Sequence, residues 1–205
     1  MFRPAGPAGA LILACLMLTK GGSAQGVRVQ FGAGGSLTFP VGFYHADPAG
    51  DGFTSALHGL ALVDFKRPNA PVGFRVDVTT GQHSANDSLK AHVTAAVGAP
   101  TDIKTNLFGG NVDLTYNFQP ASAVRGYLLG GFGLYRVKVI AISGGTSIDT
   151  SVTRVAWNVG GGLTMGTGVV AAFLEVRYLD VGSFLAVKPT ALSTTTGIRL
   201  GIGGK

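Results

Sequence analysis

Residues 111–139 read NVDLTYNFQPASAVRGYLLGGFGLYRVKV. In the first leg, Val112, Leu114, Tyr116 and Phe118 alternate strictly with Asn111, Asp113, Thr115 and Asn117. Successive side chains on an extended strand point to opposite faces, so a period of two gives one apolar and one polar face. Pro120 and the small residues behind it turn the chain. The return leg puts Tyr127, Leu129, Tyr135, Val137 and Val139 on one parity, with Arg136 and Lys138 on the other. An antiparallel hairpin is expected, with one apolar face rimmed by aromatics and one face carrying charge. We read it as a unit of a membrane-spanning barrel.

The same alternation recurs on both sides of this stretch. A first strand runs from Val27 to Phe39, with Arg28 and Gln30 opposite Val29 and Phe31. A second, Leu57 to Lys66, sets Ala61, Val63 and Phe65 against His58, Asp64 and Lys66. A third sets Phe74, Val76 and Val78 against Arg75 and Asp77, and the fourth is Asp102 to Phe118. The fifth, Arg125 to about Ile142, turns at Ser143-Gly144-Gly145 into a sixth, where Val155, Trp157 and Val159 oppose Arg154 and Asn158. In the seventh, Leu174, Val176 and Tyr178 oppose Glu175 and Arg177; in the eighth, Ile198, Leu200 and Ile202 oppose Gly197 and Arg199. Short turns follow strands two, four and six; longer excursions follow the others, the one after strand five being the extended hairpin through Ser143-Gly144-Gly145. This asymmetry predicts an all-β fold, an antiparallel up-and-down transmembrane barrel of eight strands over residues 25–205.

The start of the chain fits a removable secretory leader over residues 1–24. Arg3 precedes the short apolar run Leu11–Leu18, and Gly22, Ser23 and Ala24 form a small-residue cleavage site. That run is too short to cross a bilayer as a helix. Cys15 is the only cysteine of the 205 residues, so the mature chain is expected to hold neither disulfide nor reactive thiol. The net charge of +6 comes from bases spread singly along strands, without a basic run. Together with secretion, this argues against nucleic acid as a partner.

Only 13% of residues are charged, and the polar face is built of Gly, Thr, Ser and Asn with single charges. A soluble barrel or sandwich would turn a face rich in Lys and Glu to water. Aromatics also fall at two heights. Phe65, Phe74, Tyr116, Phe118 and Tyr127 lie near one rim, and Phe39, Phe108, Tyr135, Trp157 and Tyr178 near the other. The ten residues from Phe108 to Phe118 climb about 25 Å at the usual strand rise and tilt, the height of a barrel's apolar band.

At this point the chain resembles the small eight-stranded outer-membrane barrels of the OmpA/OmpX type, through RGYLLGGFGLYR (125–136), AFLEVRY (172–178) and TTGIRL (195–200). The resemblance covers the mature chain by pattern. It implies a bacterial outer-membrane protein surrounded by lipid and lipopolysaccharide, monomeric, and without catalytic or cofactor-binding residues. It also implies that Thr195, Gly197, Leu200 and Ile202 form the signal read by the barrel-assembly machinery. The family usually ends this signal on an aromatic residue, whereas this chain ends Gly203-Gly204-Lys205.

The polar face collects Arg28, Lys66, Arg75, Arg136, Lys138, Arg154, Arg177 and Arg199 with Asp64, Asp77, Asp113 and Glu175. An eight-stranded barrel is only wide enough for side chains to fill, so these charges are expected to pair across a plugged lumen, with Glu175 between basic partners. A small anion-preferring diffusion pore is the alternative. A metal on His45, Asp47 and Asp51 is disfavoured, because loop acids near a lone His are usually solvated. A lipid-modifying hydrolase built on His83, Ser84 and Asp87 is also disfavoured, because neighbours on a strand point apart. Val137 to Thr153, through Ile140, Ile142 and Ile148, is expected to protrude as a hairpin with an edge for a surface protein partner.

Overall fold

The structure is a computed structural model and describes residues 27–67, 70–119, 122–166, 169–183 and 188–202. The leader, Cys15, residues 203–205 and parts of the turns at 68–69, 120–121 and 167–168 and of the loop at 184–187 lie outside these. Wherever apolar and polar residues alternate, the chain is extended. The strands are β1 (Arg28–Pro40), β2 (Ala56–Lys66), β3 (Val72–Ser84), β4 (Thr101–Asn117), β5 (Val124–Ser143), β6 (Thr146–Met165), β7 (Val170–Val181) and β8 (Thr190–Ile202). Each pairs antiparallel with the next, and β8 returns to β1 from Val29↔Ile202 to Pro40↔Ala191, closing an eight-stranded barrel.

The two faces of the wall differ in chemistry. Outward stand exposed Phe31, Leu37, Phe74, Phe108, Val112, Leu114, Phe132, Val159, Leu174 and Ile198. Inward are buried Arg75, Asp77, Asn111, Asp113, Thr115, Asn158, Glu175, Arg177 and Arg199. An apolar belt this extensive, wrapped round a polar interior, is the inverse of a water-soluble fold and suits contact with lipid. No helix among the described residues is long and apolar enough to cross a membrane.

Strand β5 corrects the sequence reading. Its faces are reversed: Tyr127 and Tyr135 are 2% and 1% exposed, with buried Leu129 and Val137 beside them, while Phe132 and Leu134 are 71% and 55% exposed. Tyr127 and Tyr135 therefore leave the aromatic girdles, and Arg136 and Lys138 leave the lumen. Gly131 and Gly133 explain the ambiguity. Both occupy inward positions, where an added Cβ would collide with the Asp113 carboxylate and with the Asn111 amide respectively. The inward parity thus shows no polar residue between Arg125 and Val137 except the two tyrosines. Arg136 and Lys138 sit where β5 has passed the barrel rim, and there polarity does not report on the lumen.

The long connection after β3 holds a helix, α1 (Asp87–Val97). The Asn86 side chain accepts from the Leu89 N–H at its start, and Gly98, at φ 76°, ends it by donating to Thr94 O. Leu89 and Val93 pack with Tyr44, Phe53, Ala85, Ile103, Val139 and Ala141. The helix and the segment between β1 and β2 thereby cover one end of the barrel.

At that end β4, β5 and β6 continue as a three-stranded blade. The β5–β6 ladder is unbroken from Val124↔Met165 to Ser143↔Thr146, across a turn in which Gly144 and Gly145 take φ of 55° and 83°. Strand β7 pairs with β6 only from Ala156 to Met165.

Candidate functional site

The register of the wall stacks charged residues at one level of the lumen. Asp64 lies opposite Arg75, Arg75 opposite Asp113, and Asp77 opposite Asn111. Arg75 donates from Nε to Asp64 at 2.8 Å and from a terminal nitrogen to Glu175. Arg177 joins Glu175 at 2.9 Å, Asp77 at 2.8 Å and Asp113 at 3.4 Å. Arg199 reaches Asp64 at 3.2 Å. Glu175 is thus held between Arg75 and Arg177, with strands β2, β3, β4, β7 and β8 tied across the bore.

Residues on the inverted strand complete the network. The Tyr127 hydroxyl donates to Glu175 at 2.7 Å and accepts from Arg199 at 3.0 Å. The Arg199 guanidinium lies over the rings of Tyr127 and Phe173, 4.9 and 4.6 Å from their centroids. Asn158 donates to Asp113 at 2.8 Å, and Asn111 donates to both Asp77 and the Tyr135 hydroxyl. Tyr127, Tyr135 and Arg125 are the inward groups that sequence reasoning missed, all three through the reversed parity of β5. Above the network is a cavity of ≈ 40 Å³ lined in part by Ser36, His58, Leu107, Tyr135 and Thr195. It has room for a few waters and no larger solute.

The other expected lumen residues lie elsewhere. Arg28 and Lys66 point inward at the short-turn end, opposite each other. Arg154 is exposed at the base of the blade and donates to Ser183 O. Lys138 pairs with Asp149 on the blade's outer face, and Arg136 donates to Ser151 there. Of the girdle residues, Phe39, Phe74, Phe108, Tyr116, Phe118 and Trp157 are exposed on the outward face, with Phe65 and Tyr178 half-buried there. Trp157 packs on Tyr178, and Tyr116 on Phe118, at centroid distances of 5.4 and 5.3 Å. On β8, Thr195 is buried and donates to Ser36, while Leu200 and Ile202 face outward.

The loop candidates do not converge. Asp47 accepts from the backbone of its own turn, and Asp51 contacts Ser88 and His92. No group of three or more ligating side chains suited to a metal occurs among the described residues. His83 is buried against His58 and Thr54 O, whereas its strand neighbour Ser84 faces the other way.

Similar barrels exist among solved structures. Neisserial surface protein A is 20% identical, with 86% of this chain and 97% of that chain covered and a TM-score of 0.53. Ail, the attachment invasion locus protein of Yersinia pestis, is 16% identical over 86% and 99%, with a TM-score of 0.51. A major outer membrane protein from Thermus thermophilus is 10% identical over 85% and 99%, with a TM-score of 0.59. At these identities the likeness is one of fold. No family model matches the sequence, and no curated protein matches it.

Proposed function

We propose that this chain, an integral outer-membrane β-barrel of the small eight-stranded kind, is a closed, non-enzymatic anchor that presents a β edge to a protein partner outside the cell. The observation that carries the reading is the one-sided pairing of β6 from Thr146 to Val155. The Val155 carbonyl accepts from Gly182 on the β7 side. Backbone groups alternate in direction along a strand, so Ser147, Asp149, Ser151 and Thr153 turn their N–H and C=O to the open side. Proteins usually blunt such an edge with Lys, Pro or a bulge. The run SIDTSVT (147–153) contains neither Lys nor Pro. An extended partner segment could add there by main-chain hydrogen bonds.

In this reading lipid and lipopolysaccharide surround the aromatic belt. The assembly machinery reads β8 through Thr195, Gly197, Leu200 and Ile202, and the barrel works as a monomer. Hydrogen exchange provides one test. In the isolated barrel the amides of Ser147, Asp149, Ser151 and Thr153 should exchange fast, and those of Ile148, Thr150 and Val152 slowly. Ser151→Pro should abolish capture of the barrel by any binder on an array of extracellular proteins, while the fold persists. Binding that survives Ser151→Pro would refute the edge.

The ion pairs spanning the bore support a closed lumen. Purified protein in planar bilayers should show no stable ohmic conductance. Large, reproducible anion-selective steps would make it a diffusion pore instead.

A further inference from the structure

We propose that the short-turn end of the lumen is a binding site for a phosphate group, held by Lys66, Arg125 and Arg199. The site is separate from the blade and is independent of whatever occupies the β6 edge. Lys66 ends β2 directly opposite Arg28 at the start of β1. Arg125, near the start of β5, lies opposite Thr164 on its inner face. Arg199 comes from the end of β8 and reaches Thr164 Oγ1 at 3.3 Å. The Arg28 guanidinium lies against Gly201. The charges of Arg28, Arg125 and Arg199 all bear on Lys66, and those of Arg28 and Arg199 also bear on Arg125.

Among the described residues, no carboxylate is left over to pair with Lys66 and Arg125. Asp64 is the acid that acts on Lys66, and it is already engaged by Arg75 and Arg199. Among the described residues, neither Lys66 nor Arg125 forms an ion pair. Arg125 is only 6% exposed, and its Nε is buried without a hydrogen-bond partner. Like charges gathered in a confined space repel, and a buried guanidinium donor left unmatched is costly. A bound anion removes both penalties.

The geometry favours phosphate among anions. Donors arrive from three separate strands, so a tetrahedral group can give each an oxygen of its own. A planar carboxylate is matched by one arginine fork. The phosphate can be a free ion or the headgroup of a phospholipid in the leaflet around the short turns.

The test uses the full chain refolded in maltoside micelles without phosphate, titrated calorimetrically with inorganic phosphate at constant ionic strength. Wild type should bind saturably. Arg125→Gln and Lys66→Gln should each weaken binding roughly tenfold or more, while Arg136→Gln on the blade keeps wild-type affinity. Heat-modifiable gel mobility checks that each variant is folded. Among the described residues neither Arg125 nor Lys66 has an ion-pair partner to orphan, so both variants should unfold no earlier than wild type in phosphate-free buffer. Doping the micelles with phosphatidylglycerol separates the sources. A headgroup occupant competes with inorganic phosphate, and a free-ion site does not. Absence of binding, equal affinity in wild type and both variants, or the same response to chloride would overturn the proposal.

Discussion

Replacing Glu175 by Gln is expected to lower the unfolding free energy of the barrel by about 3 kcal/mol. The carboxylate is the shared partner of Arg75, Arg177 and the Tyr127 hydroxyl, and it is buried. Gln retains an acceptor but removes the negative charge, leaving two guanidinium groups facing each other with less compensation. Such networks are weak evidence for net stability, since an apolar core of the same shape can equal them, but removal of one member leaves its partners buried and unmatched. Urea titration of the refolded protein in micelles would show this as a lower midpoint at unchanged slope. Asp102→Asn is the control, because the Lys90–Asp102–Lys104 group is partly open to solvent and outside the lumen network, and should leave the midpoint nearly in place. A Glu175→Gln midpoint equal to wild type would mean that the lumen network carries little of the fold.

Phe132→Arg is expected to cost about 2–4 kcal/mol, as an arginine on the lipid-facing wall near mid-membrane does. A soluble barrel with an apolar exterior contact would also suffer, so stability alone does not decide the matter. Polarity probes on single cysteines, with Cys15 replaced, do so on two strands. Labels at 128 and 114 should be quenched by nitroxide on lipid tails, and labels at the neighbouring 129 and 115 should not. Quenching at 129 instead of 128 would restore the faces that the sequence pattern suggested for β5. Quenching at none of the four would remove the protein from the bilayer.

Strand β4 was legible from sequence because each face keeps its own chemistry over its whole length: Val112, Leu114 and Tyr116 outward, Asn111, Asp113 and Thr115 inward. The charges of the central network were legible too, because Asp64, Arg75, Asp77, Glu175, Arg177 and Arg199 stand on strands with that same clean alternation. Strand β5 was not, since its inward face is glycine where Asp113 and Asn111 need room and tyrosine where their neighbours need a hydroxyl. Between Arg125 and Tyr135 both parities then read as apolar, and the next charges, Arg136 and Lys138, lie past the rim. Helix α1 left signals that strand counting passes over. Asn86 caps it, Leu89 and Val93 sit one turn apart, and Gly98 followed by Pro100 stops it.

The tight Gly144–Gly145 turn also sets the order of costs along the folding route. Ser143 and Thr146 meet after the smallest possible loop, and every further rung of the β5–β6 ladder extends contacts already made. The seam between β1 and β8 instead joins Val29 to Ile202, across almost the whole described chain. Loop-closure entropy grows with the length enclosed, and long-range strand pairing is slow for that reason. The hairpin whose pairing runs on beyond that of β6 with β7 is therefore the cheapest piece of the wall to form, and the strand bearing Leu200 and Ile202 closes the ring at the greatest entropic expense.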